Sequence, residues 1–410
     1  MKAALWISIG IVFYAYIGYP LLMWAFARWL KRHSHAAEIS PSVSVVLAVR
    51  NGMALLREKM DHLFSLDYAN IKEIIVVSDG STDGTAEFLG SLSDPRLKTV
   101  FLKDHCGKAV ALNAGMKQAT ADVLLFVDIR PQIAPGAIQK LVSRFADPHV
   151  GCVAGELVLV EDRQNPVAGA VGGLYWRYEQ WIRKCEASYD SPVGVYGGFY
   201  AIRRALAVPQ PEGIILDDMF QPLSIIRQGY RSVLEPTAYV YDEWPKETEA
   251  EFHRKVRTLA GNFQLMQMAP WVLTSQNRVF FQLFSHKILR LFIPYLWISA
   301  LLTSILLAGG SRFYAALAGI QLLVLLLALI SLRSKIPIIS RIGAPIGALL
   351  MLNTAAVVGL YKFLSTRGSL WQIWEAKRSA APESNADTRP ADSTQGHPIA
   401  EDRHEAPRVS

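Results

Sequence analysis

Charged residues are scarce in this sequence and absent from four long stretches. Only 19% of the 410 residues are charged and 51% are hydrophobic, whereas soluble chains carry about 25% charge on average. This composition excludes an intrinsically disordered chain and a purely soluble one. Residues 3–27, 291–311, 313–332 and 342–361 contain no Asp, Glu, Lys or Arg. A helix needs roughly 20 apolar residues to cross a bilayer, so we predict an integral membrane protein.

Cysteine is rare, and the excess of positive charge is local. Cys106, Cys152 and Cys185 have no C-x-x-C spacing, which excludes a disulfide framework or a typical zinc site and fits a reducing cytosol. The net charge is +7, but basic residues such as Arg28 and Arg32 flank the apolar runs, as the positive-inside rule requires. We therefore expect no nucleic-acid partner.

The first apolar run is expected to be an uncleaved anchor. It lacks a small-residue cleavage site, and its basic cluster lies on the C-terminal side. This orientation predicts a multi-pass protein of the inner (cytoplasmic) membrane with its large domain in the cytoplasm. We expect an anchor at residues 1–30, a cytoplasmic domain at 41–270, an interfacial helix and a transmembrane bundle at 279–365, and a disordered polar tail at 379–410.

The region between the first two apolar runs alternates strand and helix patterns. Residues 42–49, 71–77 and 122–127 are short apolar runs typical of buried strands, and helical patterns separate them. Beyond residue 147 the alternation becomes irregular. The fold class is therefore α/β, with a mixed, mostly parallel sheet flanked by helices, one N-terminal transmembrane helix and about three C-terminal ones.

Acids follow two of the predicted strands. Asp79 ends the second, and Asp128 follows residues 122–127. Ligands of open parallel sheets bind at the carboxyl ends of strands, where Asp79 would accept hydrogen bonds from a uracil or ribose and Asp128 would hold a divalent cation on a diphosphate. Each also has a structural interpretation, because Asp-Gly pairs form tight turns and Asp128 could cap a helix.

Two further groups occur later in the chain. Asp217 and Asp218 follow an apolar stretch, where one carboxyl of the pair would gain a raised pKa suited to a general base. Helix capping explains them equally well. Arg254 and Arg257 stand at helical spacing and could clamp a diphosphate, or form a stripe that faces solvent or lipid headgroups.

The order of these motifs resembles the membrane-anchored glycosyltransferases of family 2. The resemblance is strongest to the bacterial cellulose-synthase-like and poly-N-acetylglucosamine-synthase-like branch, and it covers about residues 14–378. It implies the GT-A nucleotide-diphospho-sugar fold. The segments that carry it include PSVSVVLAVRN, EIIVVSDGSTDGT, GKAVALNAG, LLFVDIRPQ, GGFYAIRRAL, ILDDMFQPL and EFHRKVRTLAG.

The resemblance implies a donor-binding role for residues at the strand ends. Asp79 matches the acid that contacts the nucleotide, and Arg50 and Asn51 line the same pocket. Lys108 matches the lysine of a Gly-Lys step that faces the nucleotide sugar. Asp128 matches the first acid of the D-x-D motif, which binds Mg²⁺ or Mn²⁺.

The resemblance also implies the catalytic group and exposes three departures, one of which is Gly52 in place of the family's glutamate after Asn51. Asp218 matches the catalytic base, Asp217 is its neighbour in the substrate site, and Arg257 matches an arginine near the diphosphate. Arg130 replaces the second acid of D-x-D, and either supplies part of the metal's charge or weakens metal binding. The motif around Arg254 lacks the glutamine and tryptophan of the processive enzymes, which argues against long-polymer synthesis.

The expected function is an inverting transfer of a sugar from a nucleoside-diphosphate donor. The nucleotide expected first is UDP. The acceptor would be a glycan or a lipid-linked saccharide at the cytoplasmic face of the membrane, in cell-surface or extracellular polysaccharide synthesis. Membrane lipids and other synthesis or export subunits are the further partners expected. The alternative is a catalytically weak or inactive membrane scaffold that retains the fold and binds nucleotide or partners. The retained acids favour the enzyme.

Overall fold

The structure of the chain is a computed structural model that describes residues 1–160, 166–243, 248–333, 337–366 and 370. The tail at 379–410, expected to be disordered, lies outside these ranges. One sheet organises the soluble part. Its strands are β1 (Val43–Val49), β2 (Ile71–Asp79), β3 (Leu97–Leu102), β4 (Val123–Val127), β5 (Gln132–Ile133), β6 (Val150–Val160), β7 (Phe199–Arg203) and β8 (Arg231–Glu243).

Helices cover both faces of this sheet and form the membrane part. They are α1 (Lys2–Phe13), α2 (Tyr19–Trp29), α3 (Met53–Phe64), α4 (Thr85–Ser91), α5 (Lys108–Gln118), α6 (Ala137–Ser143), α7 (Pro166–Tyr189), α8 (Asp217–Arg227), α9 (Thr248–Met268), α10 (Phe280–Leu283), α11 (Leu289–Ala308), α12 (Arg312–Arg333) and α13 (Pro337–Ser365). Short π-helical turns connect α1 to α2 and α10 to α11.

The strand order is β3-β2-β1-β4-β7-β6-β8-β5. Strands β3, β2, β1 and β4 are parallel, whereas β7 runs antiparallel to both β4 and β6. Strand β8 is parallel to β6 and antiparallel to the two-residue β5. The sheet is therefore mixed, as expected. Because β1, β2 and β4 are parallel neighbours, the residues that follow them meet at one edge, where a crevice can bind a ligand.

Alternate residues of the central strands pack against opposite helical layers, as the two-residue period of a strand requires. On one face, Val45 of β1 shares a buried cluster with Leu56 of α3. On the other, Val46 packs with Leu112 of α5. Gly115 allows this close approach, since a Cβ there would lie 2.7 Å from Val46 Cγ1. Both layers bury apolar surface against the same strand, which fixes the first residue of α5 over the carboxyl edge.

Within the described ranges, four helices are long and apolar enough to cross a membrane: Lys2–Trp29, Phe280–Ala308, Arg312–Ser331 and Pro345–Ser365. They coincide with the four uncharged runs of the sequence, with one helix before the sheet and three after it. Residues 279–289 are expected to lie along the bilayer surface, but from residue 280 this stretch continues into the second span without a break.

The sheet domain and the second span share one apolar cluster. Leu216, just before α8, and Met219 and Phe220 within it pack in the same buried group as Leu283 and Ile288 of the spanning helix. The first turn of α8 is therefore supported on one side by the membrane part of the chain.

Candidate active site

The loops after β1 and β2 are interlocked by hydrogen bonds. Asn51 has a left-handed backbone with φ of +46°, and its side-chain oxygen accepts a bond from the Thr82 amide at 2.8 Å. The Met53 amide donates to Asp83 Oδ2 at 2.9 Å. Arg50 is exposed beside these loops. Two of the residues expected to line the nucleotide pocket, Arg50 and Asn51, thus lie at the carboxyl edge, and the Asn51 side chain shapes it.

Asp79 is buried and is engaged with the following loop. Its carboxylate accepts hydrogen bonds from the amides of Cys106 at 2.8 Å and Gly107 at 2.9 Å, and it lies 2.8 Å from His105 Nδ1. Gly107 has a φ of +92°, a conformation that glycine adopts without strain. Asp79 therefore holds the loop that leads into α5, whose first residue is Lys108.

Lys108 connects acids from two distant segments. Its ammonium nitrogen lies 3.1 Å from Asp128 Oδ1 and 3.2 Å from Asp217 Oδ2. Burial opposes the charged form, but these carboxylates hold the pKa of Lys108 above its ordinary value. The structure thus brings together three of the predicted site residues, which stand at the start of α5, after β4 and at the start of α8.

Asp217 and Asp218 form the first turn of α8, and their environments differ. Asp217 is buried and paired with Lys108. Enclosure of Asp218 by the protein, reinforced by the Asp217 charge and opposed by Lys108, raises its pKa to about 7. A carboxyl that titrates near neutral pH is matched to general-base chemistry.

Gly197 gives the Asp218 side chain its space. A Cβ at position 197 would lie 3.1 Å from Asp218 Cβ and 3.6 Å from Oδ2. The Asp218 carbonyl also accepts a hydrogen bond from the Val195 amide at 3.0 Å. The loop that precedes β7 therefore fixes the position of this acid.

Two charged residues that the sequence analysis missed, Lys59 and Asp242, lie near Asp128 and Arg130. Lys59 of α3 is buried and donates to the Pro131 carbonyl at 2.6 Å. Burial lowers the pKa of Lys59 to about 8, against the opposing charges of Asp128 and Asp242. Asp242 of β8 pairs with Arg130 at 3.2 Å. A signal for Lys59 was present, because it shares the apolar stripe of its helix with Leu56, Met60 and Leu63.

A metal ion at this edge would need coordinating atoms from a bound diphosphate in addition to those of the protein. Among the described residues, no three His, Cys, Asp or Glu side chains converge as a metal-binding group. The side chain of Asp128 is 42% exposed, and a single open carboxylate suits a magnesium-type ion that completes its shell with phosphate oxygens and water. Asp128 therefore fits a cation brought by a diphosphate.

Arg254 and Arg257 both lie on α9, and Arg254 pairs with an acid of its own helix. Arg254 pairs with Glu251, one turn earlier in its own helix, at 2.6 Å. Arg257 is partly buried one turn further along. The structure therefore places Arg254 in a pair internal to α9, which is the surface arrangement considered as its alternative.

A buried ionic cluster lies on the membrane side of α8. His286 is fully buried, with Nδ1 2.8 Å from Glu186 Oε1 and Nε2 3.1 Å from Glu179 Oε2. Lys287 pairs with Glu179 at 3.2 Å, and its charge also lowers the pKa of Asp218. Sequence analysis missed this cluster, although His286 and Lys287 lie only a few residues before an uncharged run.

Comparisons of sequence and of fold both find glycosyltransferases. Residues 44–208 match the family described as Glycosyl transferase family 2, and this match covers less than half of the chain. The mixed sheet and its flanking helices resemble GT-A glycosyltransferases, which confirms the expected fold class. A mannosyltransferase from Pyrobaculum calidifontis, solved in complex with GDP-Man and Mn²⁺, superposes with a TM-score of 0.68 at 23% identity, covering 89% of this chain and 100% of that one.

Curated proteins of similar sequence are transferases. A poly-beta-1,6-N-acetyl-D-glucosamine synthase of Staphylococcus aureus is 24% identical over 230 residues, which are 55% of this chain and 55% of that protein. An N-acetylglucosaminyltransferase of Bradyrhizobium diazoefficiens is 24% identical over 246 residues, 56% of this chain and 50% of the other. The chain thus spans about half the length of the curated relatives that it matches.

Proposed function

We propose that this protein is an inverting glycosyltransferase that moves a sugar from a nucleoside-diphosphate donor to a glycan or lipid-linked acceptor. The observation that carries the proposal is the bridge from Lys108 to Asp128 and Asp217, with Asp218 beside it. One ammonium group faces the region of the leaving diphosphate, and a carboxyl with a pKa of about 7 stands next to it. Similarity to a polysaccharide synthase supports a saccharide acceptor.

The chemistry needs a base and a cationic site on opposite sides of the anomeric carbon. Asp218 takes the proton from the acceptor hydroxyl. The oxygen of that hydroxyl forms the new bond to the anomeric carbon. The bond from the anomeric carbon to the phosphate oxygen breaks, and Lys108 offsets the charge that develops on the diphosphate. A single displacement inverts the anomeric centre, so an α-linked donor gives a β-linked product.

A divalent cation, Mg²⁺ or Mn²⁺, would be held by Asp128 together with the diphosphate. When bound, it neutralises charge on the phosphate oxygens. Asp79 orders the loop that contains Cys106 and Gly107, and this loop together with Arg50 and Asn51 forms the nucleotide side of the crevice. The relative with a solved structure was captured with GDP-Man and Mn²⁺, so guanine nucleotides belong in the test beside UDP.

The domain would face the cytoplasm, where it meets nucleotide sugars. Arg28, Lys31 and Arg32 follow the first span, and this asymmetry favours a cytoplasmic location for what comes next. Cell-surface or extracellular polysaccharide synthesis in the inner membrane is the setting that this orientation suits.

The test is nucleotide release by the full-length protein in lipid nanodiscs. UDP-N-acetylglucosamine, UDP-glucose and GDP-mannose are each offered with Mg²⁺ or Mn²⁺ and with saccharide or polyprenyl-linked acceptors. We expect one donor to be turned over and Asp218→Asn to reduce turnover by about 10²–10⁴-fold while nucleotide affinity is retained. The anomeric configuration of the product is read by NMR.

The control variant is Asp61→Asn, which neutralises an acid on the sheet-flanking helix α3 and should leave turnover unchanged. Turnover that survives in Asp218→Asn would remove Asp218 as the base. Nucleotide binding without turnover of any donor would instead support the alternative of an inactive scaffold.

A further inference from the structure

The strand pairing places an acid beside Arg130. Strand β5 pairs antiparallel with β8, so that Gln132 stands opposite Tyr241. Arg130 lies two residues before Gln132, and Asp242 follows Tyr241, so the two meet across the strands. Arg130 Nη2 is 3.2 Å from Asp242 Oδ2. Arg130, two residues after Asp128, is thereby held by Asp242, which lies more than a hundred positions later in the chain.

The two partners of this ion pair differ in exposure. The Asp242 side chain is 8% exposed and the Arg130 side chain is 57% exposed. The carboxylate is therefore anchored in the sheet, whereas the guanidinium extends from it. A guanidinium carries five N–H donors in a planar fork, so contact with one carboxylate oxygen leaves donors for a second anion.

Asp242 also has a second source of positive charge. The buried Lys59 ammonium group acts on both Asp242 and Asp128, and it is held in place by its hydrogen bond to the Pro131 carbonyl. Asp242 therefore has a second cation in its surroundings, and the exposed guanidinium of Arg130 keeps donors that a second anion can use. The outer edge of the site thus presents a positioned cation two residues from Asp128.

We propose that Arg130, positioned by Asp242, binds the diphosphate of the donor directly. This proposal rests on the proposed function, since it assumes that a nucleoside diphosphate enters the crevice at Asp128. An arginine matches phosphate oxygens through two parallel hydrogen bonds, and unlike a bound metal ion it is always present. Nucleotide binding should therefore persist in part without a divalent cation, through Arg130 together with Lys108.

The experiment is calorimetric titration of UDP and of GDP into the full-length protein in nanodiscs, once in EDTA and once with Mn²⁺. We expect wild-type protein to bind one of the two nucleotides, UDP or GDP, in EDTA. Loss of a hydrogen bond to a charged group corresponds to about tenfold or more in affinity, so Arg130→Met should weaken binding in EDTA by that factor. Arg130→Lys should weaken it less, because it keeps the charge without the fork.

Arg227→Met is the matched control, because Arg227 is exposed at the far end of α8 over the Trp271 ring; it should bind as wild type does. Equal affinity of wild type and Arg130→Met in EDTA would overturn the proposal, as would wild-type binding that requires Mn²⁺ absolutely. In both cases the proposed function would stand. Absence of UDP and GDP binding even with Mn²⁺ would reject the proposed function and this inference with it. Unfolding midpoints of all variants verify that each is folded.

Discussion

Lys108 lies 3.2 Å from Asp217 and so joins the start of α5 to the start of α8. The first position is fixed by the loop amides on Asp79, and the second by apolar packing against a membrane helix. The contact of this ammonium group with Asp217 therefore depends on the positions of both helix starts.

Removal of the Lys108 charge should alter both the rate and the pH dependence of transfer. Under the proposed function Lys108 faces the diphosphate, so Lys108→Met would delete that cation, and we expect a loss of about 10²-fold or more in kcat. Asp218 works as a base when ionised, so activity rises with pH through its pKa of about 7. Lys108 lowers that pKa, so the acidic limb of the rate profile should move to higher pH in the variant. An acidic limb that does not move in Lys108→Met would contradict the effect of the Lys108 charge on the Asp218 pKa. The control is Lys108→Arg, which keeps the charge and should keep the acidic limb at its wild-type pH.

Gly197→Ala should impair catalysis without loss of nucleotide binding. The new methyl group would stand 3.1 Å from Asp218 Cβ, so the Asp218 side chain must shift by a few tenths of an ångström. Misplacement by about 1 Å can cost about 10²-fold in rate, and we expect a fall of at least about tenfold in kcat with UDP affinity unchanged. Gly90→Ala is the control, because no atom lies within 4 Å of the position its Cβ would take. Wild-type turnover in Gly197→Ala would show that the glycine does not position the base.

Asp79→Asn should destabilise the protein in the absence of nucleotide. An amide offers one acceptor oxygen where the carboxylate offers two, and its NH₂ group would face backbone donors. The expected cost is about 1–3 kcal/mol, measured as a lower unfolding midpoint. Asp104→Asn, an exposed neighbour, should be neutral. An unchanged midpoint combined with lost UDP affinity would instead favour a direct contact between Asp79 and the nucleotide.

His286→Ala should be among the most destabilising single changes in the membrane part. It removes the group that stands between the buried carboxylates of Glu186 and Glu179. The change removes one hydrogen-bond partner from each carboxylate, and a buried polar group left unsatisfied costs about 1–3 kcal/mol, which equilibrium unfolding in mixed micelles would measure. His253→Ala is the control, because its partner Glu249 is largely exposed, and a surface pair contributes at most about 1 kcal/mol. Similar costs for the two variants would contradict the structural role of the cluster.

The central strands could be predicted because each is a short apolar run followed by a polar loop. The placement of Asp79 and Asp128 at one edge of the sheet also followed from the sequence, since parallel strands deliver their following residues to one edge, whereas only the family resemblance assigned Lys108 to this site. The membrane spans followed from their length and lack of charge, and these match the four spanning helices.

The contacts that the sequence did not reveal depend on long-range pairing. The two-residue β5 has no pattern of its own, and only its register with β8 brings Asp242 to Arg130. Arg254 is spaced to reach a diphosphate, but an acid one turn earlier in the same helix pairs with it. Periodicity assigns a residue to a face of an element, yet it does not say which distant element covers that face.

The position of the acids at the start of α8 depends on a helix that can span the bilayer. An apolar cluster joins this first turn to the second span through Leu216, Met219, Leu283 and Ile288. A change in tilt of the second span, imposed by a thinner or thicker lipid layer, is transmitted to the first turn of α8 through packed side chains. Under the proposed function, we therefore expect turnover to vary with bilayer thickness while nucleotide affinity stays the same.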